Sequence, residues 1–297
     1  MPVLIGTASW TDKTLLECGR FYPASATTAE ARLRYYASQF ALVEVDSSYY
    51  AMPAPNTAQL WAERTPSGFV MNVKAFRLFT GHQTSPTVLH KDIRAALPPS
   101  AKANLYYKDV PGEIRDELWR RFIDALAPLR AANRLGLVHF QFPPWLVRNA
   151  AGQAHVRHCV ERMAGHVLSV EFRHKSWFEG EHAASTLAFE RELGVAHTVV
   201  DGPQGYTNSV PALWEATQPA FALLRLHGRN TETWNAKGAG AASDRFNYDY
   251  SEPELADIAA KVARLALQAA STHVVFNNNM EDQGQRNAAL LMRLLHR

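Results

Sequence analysis

Eight short runs of β-branched and apolar residues alternate along this chain with stretches of helical periodicity, and that alternation leaves few folds open. The strand-like runs are Val3–Ser9, Leu42–Asp46, Phe69–Lys74, Leu137–Phe142, Val167–Arg173, Val195–Asp201, Ala220–His227 and Thr272–Asn278. Strands joined by helix-length connections pair in parallel, and eight is the number that closes a parallel sheet on itself. The expected architecture is α/β: a single (β/α)8, TIM-type barrel over residues 1–297, with a long insertion after strand 3. A chain of 297 residues suits one such domain.

The connections carry helix signals. Thr27 with Glu30, and Ser251 with Glu254, have the spacing of capping boxes. Leu255, Ile258, Ala259, Val262, Leu265 and Ala266 fall on one helical face, as do His155, Val156, Cys159, Val160 and Met163. Helices are also expected over Glu113–Ala131 and Gln283–His296. The weakest connection follows strand 6, where Pro211–Thr217 has room for only a short helix. Residues 75–111 are too many for a simple turn, so they are expected to form a βα-loop insertion over the barrel mouth. A second long loop, Gly228–Tyr250, is rich in Gly and Ala and carries Trp234.

Composition excludes several classes. The chain is 47% hydrophobic and 20% charged, enough to build a core without disulfides or a structural metal. Its two cysteines, Cys18 and Cys159, have no metal-ligand spacing and fit a reducing compartment. No apolar run approaches a bilayer's thickness, and the first residues lack a signal pattern, so a cytoplasmic location with no membrane partner is expected. A formal net charge of +3 permits an anionic partner without requiring one.

Function is written in the strands. Side chains two apart on a strand share a face. One parity gives Glu44 and Asp46, Asn72 and Lys74, His139 and Gln141, then Ser169, Glu171 and Arg173. It continues with His197 and Asp201, Arg225 and His227, and Asn277 and Asn279, while the opposite parity is mostly apolar. The polar set should point into the barrel and gather at the strand C-terminal ends, where barrels of this kind place their sites. The plain alternative is a self-satisfied structural network, since buried charges persist only when paired or used.

Four chemistries fit unequally. Glu44, Asp46, Glu171 and Asp201 are candidates for paired-carboxylate acid–base work, with Trp10, Tyr49, Tyr50, Trp177 and Trp234 as a stacking wall. Strands 4 and 7, which supply the carboxylates of glycosidase barrels, carry here Gln141 and Arg225 with His227. A divalent metal would need Glu171, Asp201 and His227 together, but Arg173 and Arg225 stand beside them, so no cofactor is expected. Anion recognition uses Lys74, Arg173, Arg225 and His227, arginine being suited to bidentate contacts with phosphate or carboxylate. Nucleophilic catalysis has no Gly-x-Ser-x-Gly elbow, and the phosphate-loop and dinucleotide fingerprints are missing.

The ordered motifs Ile5-Gly6-Thr7-Ala8-Ser9-Trp10, Val43-Glu44-Val45-Asp46-Ser47-Ser48-Tyr49-Tyr50, Val73-Lys74-Ala75 and Gln141-Phe142-Pro143-Pro144 precede Val170-Glu171-Phe172-Arg173-His174. Ser176-Trp177, Arg225-Leu226-His227-Gly228-Arg229 and Phe276-Asn277-Asn278 complete the series. Together they resemble the YecE-like family of unknown function (DUF72) over essentially the whole chain. The resemblance implies a TIM-type barrel and no settled reaction. A suggested kinship of that family with barrel apurinic endonucleases implies DNA binding, although this sequence has no multi-histidine zinc cluster.

The reading is therefore a barrel that binds a small anionic, phosphate-bearing ligand at its mouth. Lys74, Arg173, Arg225 and His227 would contact the anion, with Glu44, Glu171, Asp201 and His227 as acid–base candidates. Asn277, Gln141 and Asp46 would orient the ligand, and Trp10, Tyr49, Trp177 and Trp234 would wall it. An enzyme of this kind would be a hydrolase or isomerase; the rivals are a non-catalytic nucleic-acid binder and, if a divalent metal is held, a metal-dependent sugar or phosphodiester enzyme related to barrel apurinic endonucleases.

Overall fold

The computed structural model describes residues 1–98, 103–235 and 245–296. Its eight strands close into one parallel barrel in chain order. They are β1 (Val3–Ala8), β2 (Leu42–Val45), β3 (Val70–Lys74), β4 (Leu135–Gln141), β5 (Leu168–Glu171), β6 (Ala196–Asp201), β7 (Phe221–Leu226) and β8 (Ser271–Phe276). All eight expected strands are present. Arg173, His227 and Asn277 lie just beyond the ends of β5, β7 and β8, so they emerge at the C-terminal mouth.

Helices cover the outside. Helix Ala29–Gln39 starts at Thr28, whose side chain accepts the Ala31 amide. The expected Thr27 box is displaced by one residue, because the Glu30 carboxylate pairs with Arg34 and Arg64 instead of returning to a cap amide. At Ser251 the box forms as expected, its amide donating to Glu254 at 2.9 Å. Helix Glu252–Leu265 then buries Leu255, Ile258, Ala259, Val262 and Leu265. No helix forms over Pro211–Thr217. Pro203, Pro211 and Pro219 withhold three backbone donors from this crossover, and Thr217 pins it to β6 by accepting from the His197 amide at 2.7 Å. Among the described residues no helix is long and apolar enough to cross a membrane.

Two apolar clusters separate inside from outside. Leu42, Leu137, Ala196, Leu223, Val275 and Ala8 pack together within the barrel, and Leu42, Leu137, Leu223 and Val275 each precede by two residues, on the same face, Glu44, His139, Arg225 and Asn277. Outside, β4 and β5 carry a column of rings: Phe79 lies flat on Trp119 at 3.7 Å, followed by Phe140, Phe142 and Phe172. Phe172 lies flat on Trp177, also at 3.7 Å, and Trp177 meets Phe189 of helix His182–Leu193. The stretch after β3 contributes Phe79 to this column, and Asp92 to a pair with Arg121 of helix Gly112–Ala131.

β1 and β2 approach so closely at Gly6 that a Cβ there would lie 1.8 Å from the Leu42 carbonyl oxygen. Backbone cannot yield as a side chain does. Gly6→Ala should therefore cost on the order of 3 kcal/mol or leave the chain unfolded, read as a lowered midpoint in urea denaturation. A change near zero would mean that the two strands are not in this register.

Candidate functional site

Arg225 is the centre of the polar interior. It projects inward from β7, fully buried, and its two terminal nitrogens divide between two glutamates: Nη2 donates to Glu44 Oε1 at 2.6 Å and Nη1 to Glu171 Oε2 at 2.7 Å. Nη1 also reaches Gln141 Oε1 at 3.3 Å. Glu171 gives its other oxygen to the Nε of Arg173. Burial alone would push the Glu171 carboxyl up, but the Arg173 and Arg225 guanidiniums outweigh it and hold the group well below its ordinary 4.5. Glu171 is thus a fixed anion with both oxygens engaged.

Arg173 passes the network to the mouth. Its Nη2 donates to His227 Nε2 at 2.9 Å. That bond leaves the imidazole proton on Nδ1, 2.9 Å from the Asn277 amide, which must present its oxygen there. Burial, then Arg173, lowers His227 from 6.5 to about 3, so the ring is neutral. The Trp234 ring covers this corner, 5.8 Å from the Arg173 guanidinium carbon and 6.5 Å from His227.

A second layer lies beside it. Lys74 Nζ pairs with Asp46 Oδ1 at 2.7 Å and sits 4.6 Å above the Tyr49 ring. Asp46 is held below its ordinary value: burial raises it, and Lys74 more than reverses that, with Arg225 and His139 adding to the effect.

The structure therefore brings Glu44, Gln141, Glu171, Arg173, Arg225, His227 and Asn277 into one connected network, with Asp46, Lys74 and Tyr49 adjoining it. Three expected residues go elsewhere. Trp177 is core, buried under Phe172 with its indole N–H on the Leu146 carbonyl at 2.7 Å. His197 faces outward, 3.0 Å from Glu190 on helix His182–Leu193. Asp201 shares that outward parity and is held by Arg229 at 2.7 Å and the Tyr250 hydroxyl at 2.7 Å. β6 thus breaks the polar-inside pattern, because a charged helix face can satisfy a polar strand residue as well as a barrel interior can. It also separates the would-be metal ligands: Asp201 is spent on Arg229, and two guanidiniums occupy Glu171. Among the described residues no group of three or more His, Cys, Asp or Glu side chains could hold a metal ion.

Other mouth residues went unread in the sequence. Arg77 also lies over the Tyr49 ring, its guanidinium carbon 5.2 Å from the centroid, and has no carboxylate partner among the described residues. His82 packs edge-on against Tyr49 at 5.3 Å. Burial, then Arg77, Lys74 and Arg173, lowers it to about 3. Asp12, in the loop after β1, is raised to about 7, first by burial and then by Asp46. Ser9 just before it has φ 68°, a left-handed backbone uncommon outside glycine. Only position relative to a strand end could have flagged them, since none lies on a strand.

Comparison with known proteins places this geometry among relatives. The family model described as "Protein of unknown function DUF72" matches residues 4–297. The UPF0759 protein YunF of Bacillus subtilis (strain 168) is 30% identical over 295 residues, covering 99% of this chain and 94% of that protein. A crystal structure of a DUF72 family protein from Enterococcus faecalis V583 superposes with TM-score 0.80 at 24% identity, over 99% of this chain and 96% of that one. Another, from Thermotoga maritima MSB8, gives TM-score 0.75 at 26% identity with both chains fully covered.

Two outcomes follow from the buried network. Arg225→Met strands two buried carboxylates and should cost about 3–5 kcal/mol, whereas Arg20→Ala, whose side chain is half exposed, should lower the midpoint far less. Equal urea midpoints for the two variants would contradict the burial of the network. Stability should also fall on acidification. His227 takes a proton near 6.5 when unfolded and only near 3 when folded, so the unfolded chain binds more protons between those values. The loss should begin below pH 6.5 at about 1.4 kcal/mol per pH unit for this ring. Glu171, whose folded value is depressed, contributes fully above 4.5 and adds to the loss below it. His227→Asn should lower the slope between pH 6.5 and 5 by about that amount, leaving the like contribution of His82 and the opposite one of Asp12; an unchanged slope would mean that the ring titrates normally.

Proposed function

The chain belongs to the DUF72 family, and from the geometry of its own barrel mouth we propose that it binds a small anionic, phosphate-bearing ligand there. The observation that carries this reading is the pair of cations Lys74 and Arg77 over the Tyr49 ring, at 4.6 and 5.2 Å, with the Arg173 guanidinium on His227 near enough to act on His82 as they do. Arg77 has no carboxylate partner among the described residues, and Arg173 Nη1 has no acceptor there. Lys74 spends one of its three donors on Asp46. These are the groups that a phosphate would satisfy with charge-assisted hydrogen bonds. Arg225, Glu171 and Glu44 form the frame beneath them.

Recession favours a small ligand over nucleic acid. Lys74 is 6% exposed and the Arg173 side chain 11%, too deep for a phosphodiester backbone lying across the surface. Outer arginines such as Arg34, Arg120, Arg121 and Arg286 are already paired with carboxylates. Asp12, near neutrality at about 7, is the group fitted to exchange a proton with a bound ligand, as a hydrolase or isomerase requires. Glu171 is better suited to hold Arg173 in place than to exchange protons.

Calorimetric titration with inorganic phosphate tests the reading. Saturable binding is expected, weakened about tenfold or more in Arg77→Ala and unchanged in Arg34→Ala, an exposed arginine on the outer face, with melting temperatures near that of the unaltered chain. Absence of saturable binding would refute the proposal. Tight binding of a DNA oligonucleotide with a steep salt dependence would replace it by the nucleic-acid reading.

A further inference from the structure

Beside the cation corner, on the far side of Asp46, lies a cavity of about 220 Å³ between Trp10, Ala29, Asp46, Trp61 and Arg64. We infer that this cavity is the subsite for the hydroxylated, uncharged part of the ligand, so that the ligand is a monosaccharide phosphate or a polyol phosphate of similar bulk. The inference rests on the reading of Lys74, Arg77 and Arg173 as the phosphate site and extends it to the rest of the molecule.

The walls carry the argument. Trp10 and Trp61 meet edge to face, ring centroids 5.9 Å apart and planes at 87°, forming an apolar corner against which the C–H face of a sugar ring packs. Asp46 supplies an acceptor. Its Oδ1 is taken by Lys74, while Oδ2 has no donor among the described residues, which suits it to receive a ligand hydroxyl in a charge-assisted bond. Ser9, Thr11 and Ser47 line the same space and bring hydroxyls that both donate and accept.

Charge and size narrow the occupant further. A carboxylate in the wall opposes a second anion, and Arg64 with the nearby Lys74 opposes a cation, leaving a neutral polar group. The volume lies below the roughly 300–1,000 Å³ of pockets for drug-sized ligands, so one small ring or a short polyol fits and an oligosaccharide does not. Asp46 belongs to both places at once: it lines the cavity and fixes Lys74. A ligand spanning it would set its phosphate on Lys74 and its hydroxyls on Asp46.

The test is a comparison of affinities for glucose 6-phosphate, ribose 5-phosphate, glycerol 3-phosphate, glucose and inorganic phosphate by calorimetry, with tryptophan fluorescence as a second readout. At least one of the three phosphorylated ligands should bind about tenfold tighter than inorganic phosphate, the worth of one or two added hydrogen bonds. Ala29→Phe, at an exposed position at the start of its helix, should fill the cavity. It should abolish that preference and leave inorganic phosphate binding unchanged. Trp61→Leu should erode the preference in the same way, whereas Arg77→Ala should weaken phosphate and sugar phosphates by the same factor. If inorganic phosphate binds as well as every phosphorylated ligand, or if Ala29→Phe keeps the preference, the subsite is wrong and the phosphate site stands. If glucose binds, is blocked by Ala29→Phe and is indifferent to Arg77→Ala while no phosphate binds, the subsite stands alone. Binding of none of the five removes both.

Discussion

One guanidinium between two buried carboxylates organises this barrel. Glu44 and Glu171 project into the same interior and would repel each other there without a cation between them. Arg225 supplies it, with its planar fork split between Glu44 and Glu171. Such an arrangement does not by itself make a fold more stable, because desolvating three charges costs about what their attraction returns, and apolar residues of similar volume often do as well. What it provides is direction. A buried charged group held between two carboxylates has one acceptable position, and each neighbour is then placed by the next bond in the chain, from Arg225 through Glu171 and Arg173 to His227 and Asn277.

The outer shell makes the same demand from the other side. β4 and β5 deliver Gln141, Glu171 and Arg173, and behind them Phe140, Phe142 and Phe172 are clamped between the flat faces of Trp119 and Trp177. Dense packing of this kind resists small shifts, because a gap forfeits contacts on every ring that lines it. Trp177 therefore acts on the mouth without touching it: it fixes the strand whose inner face carries the anion of the network.

Architecture was legible because a period is a property of neighbours. Alternating apolar runs and helical stripes located eight strands, and the box at Ser251 marked its helix to the residue. The polar parity was legible wherever the other face was plainly apolar, as in β2 and β7. It failed in β6, where every residue is buried on one face or the other. There His197 and Asp201 answer to Glu190, Arg229 and Tyr250, partners distant in sequence that no pattern within the strand encodes. Trp177 was misplaced for a related reason: an aromatic after a strand end reads alike whether it turns over the mouth or under the helices. Arg77 and Asp12 escaped notice because loop residues have no period at all, and their position depends on how the chain leaves the strand.

Once these loop residues are placed, the mouth divides into two electrostatic halves, whose charges add to the larger effect of burial on His82, His227 and Asp12. Toward β3 and β5 stand Lys74, Arg77 and Arg173, and the buried rings of His82 and His227 are held neutral, both at about 3. Toward β1 and β2 stand Asp12 and Asp46, and there a carboxyl is pushed up to about 7. The Lys74–Asp46 pair is the seam. Neutral rings on the cationic side add nothing to its charge at neutral pH, whereas Asp46, paired with Lys74 and facing Asp12, ties the charge of one half to that of the other.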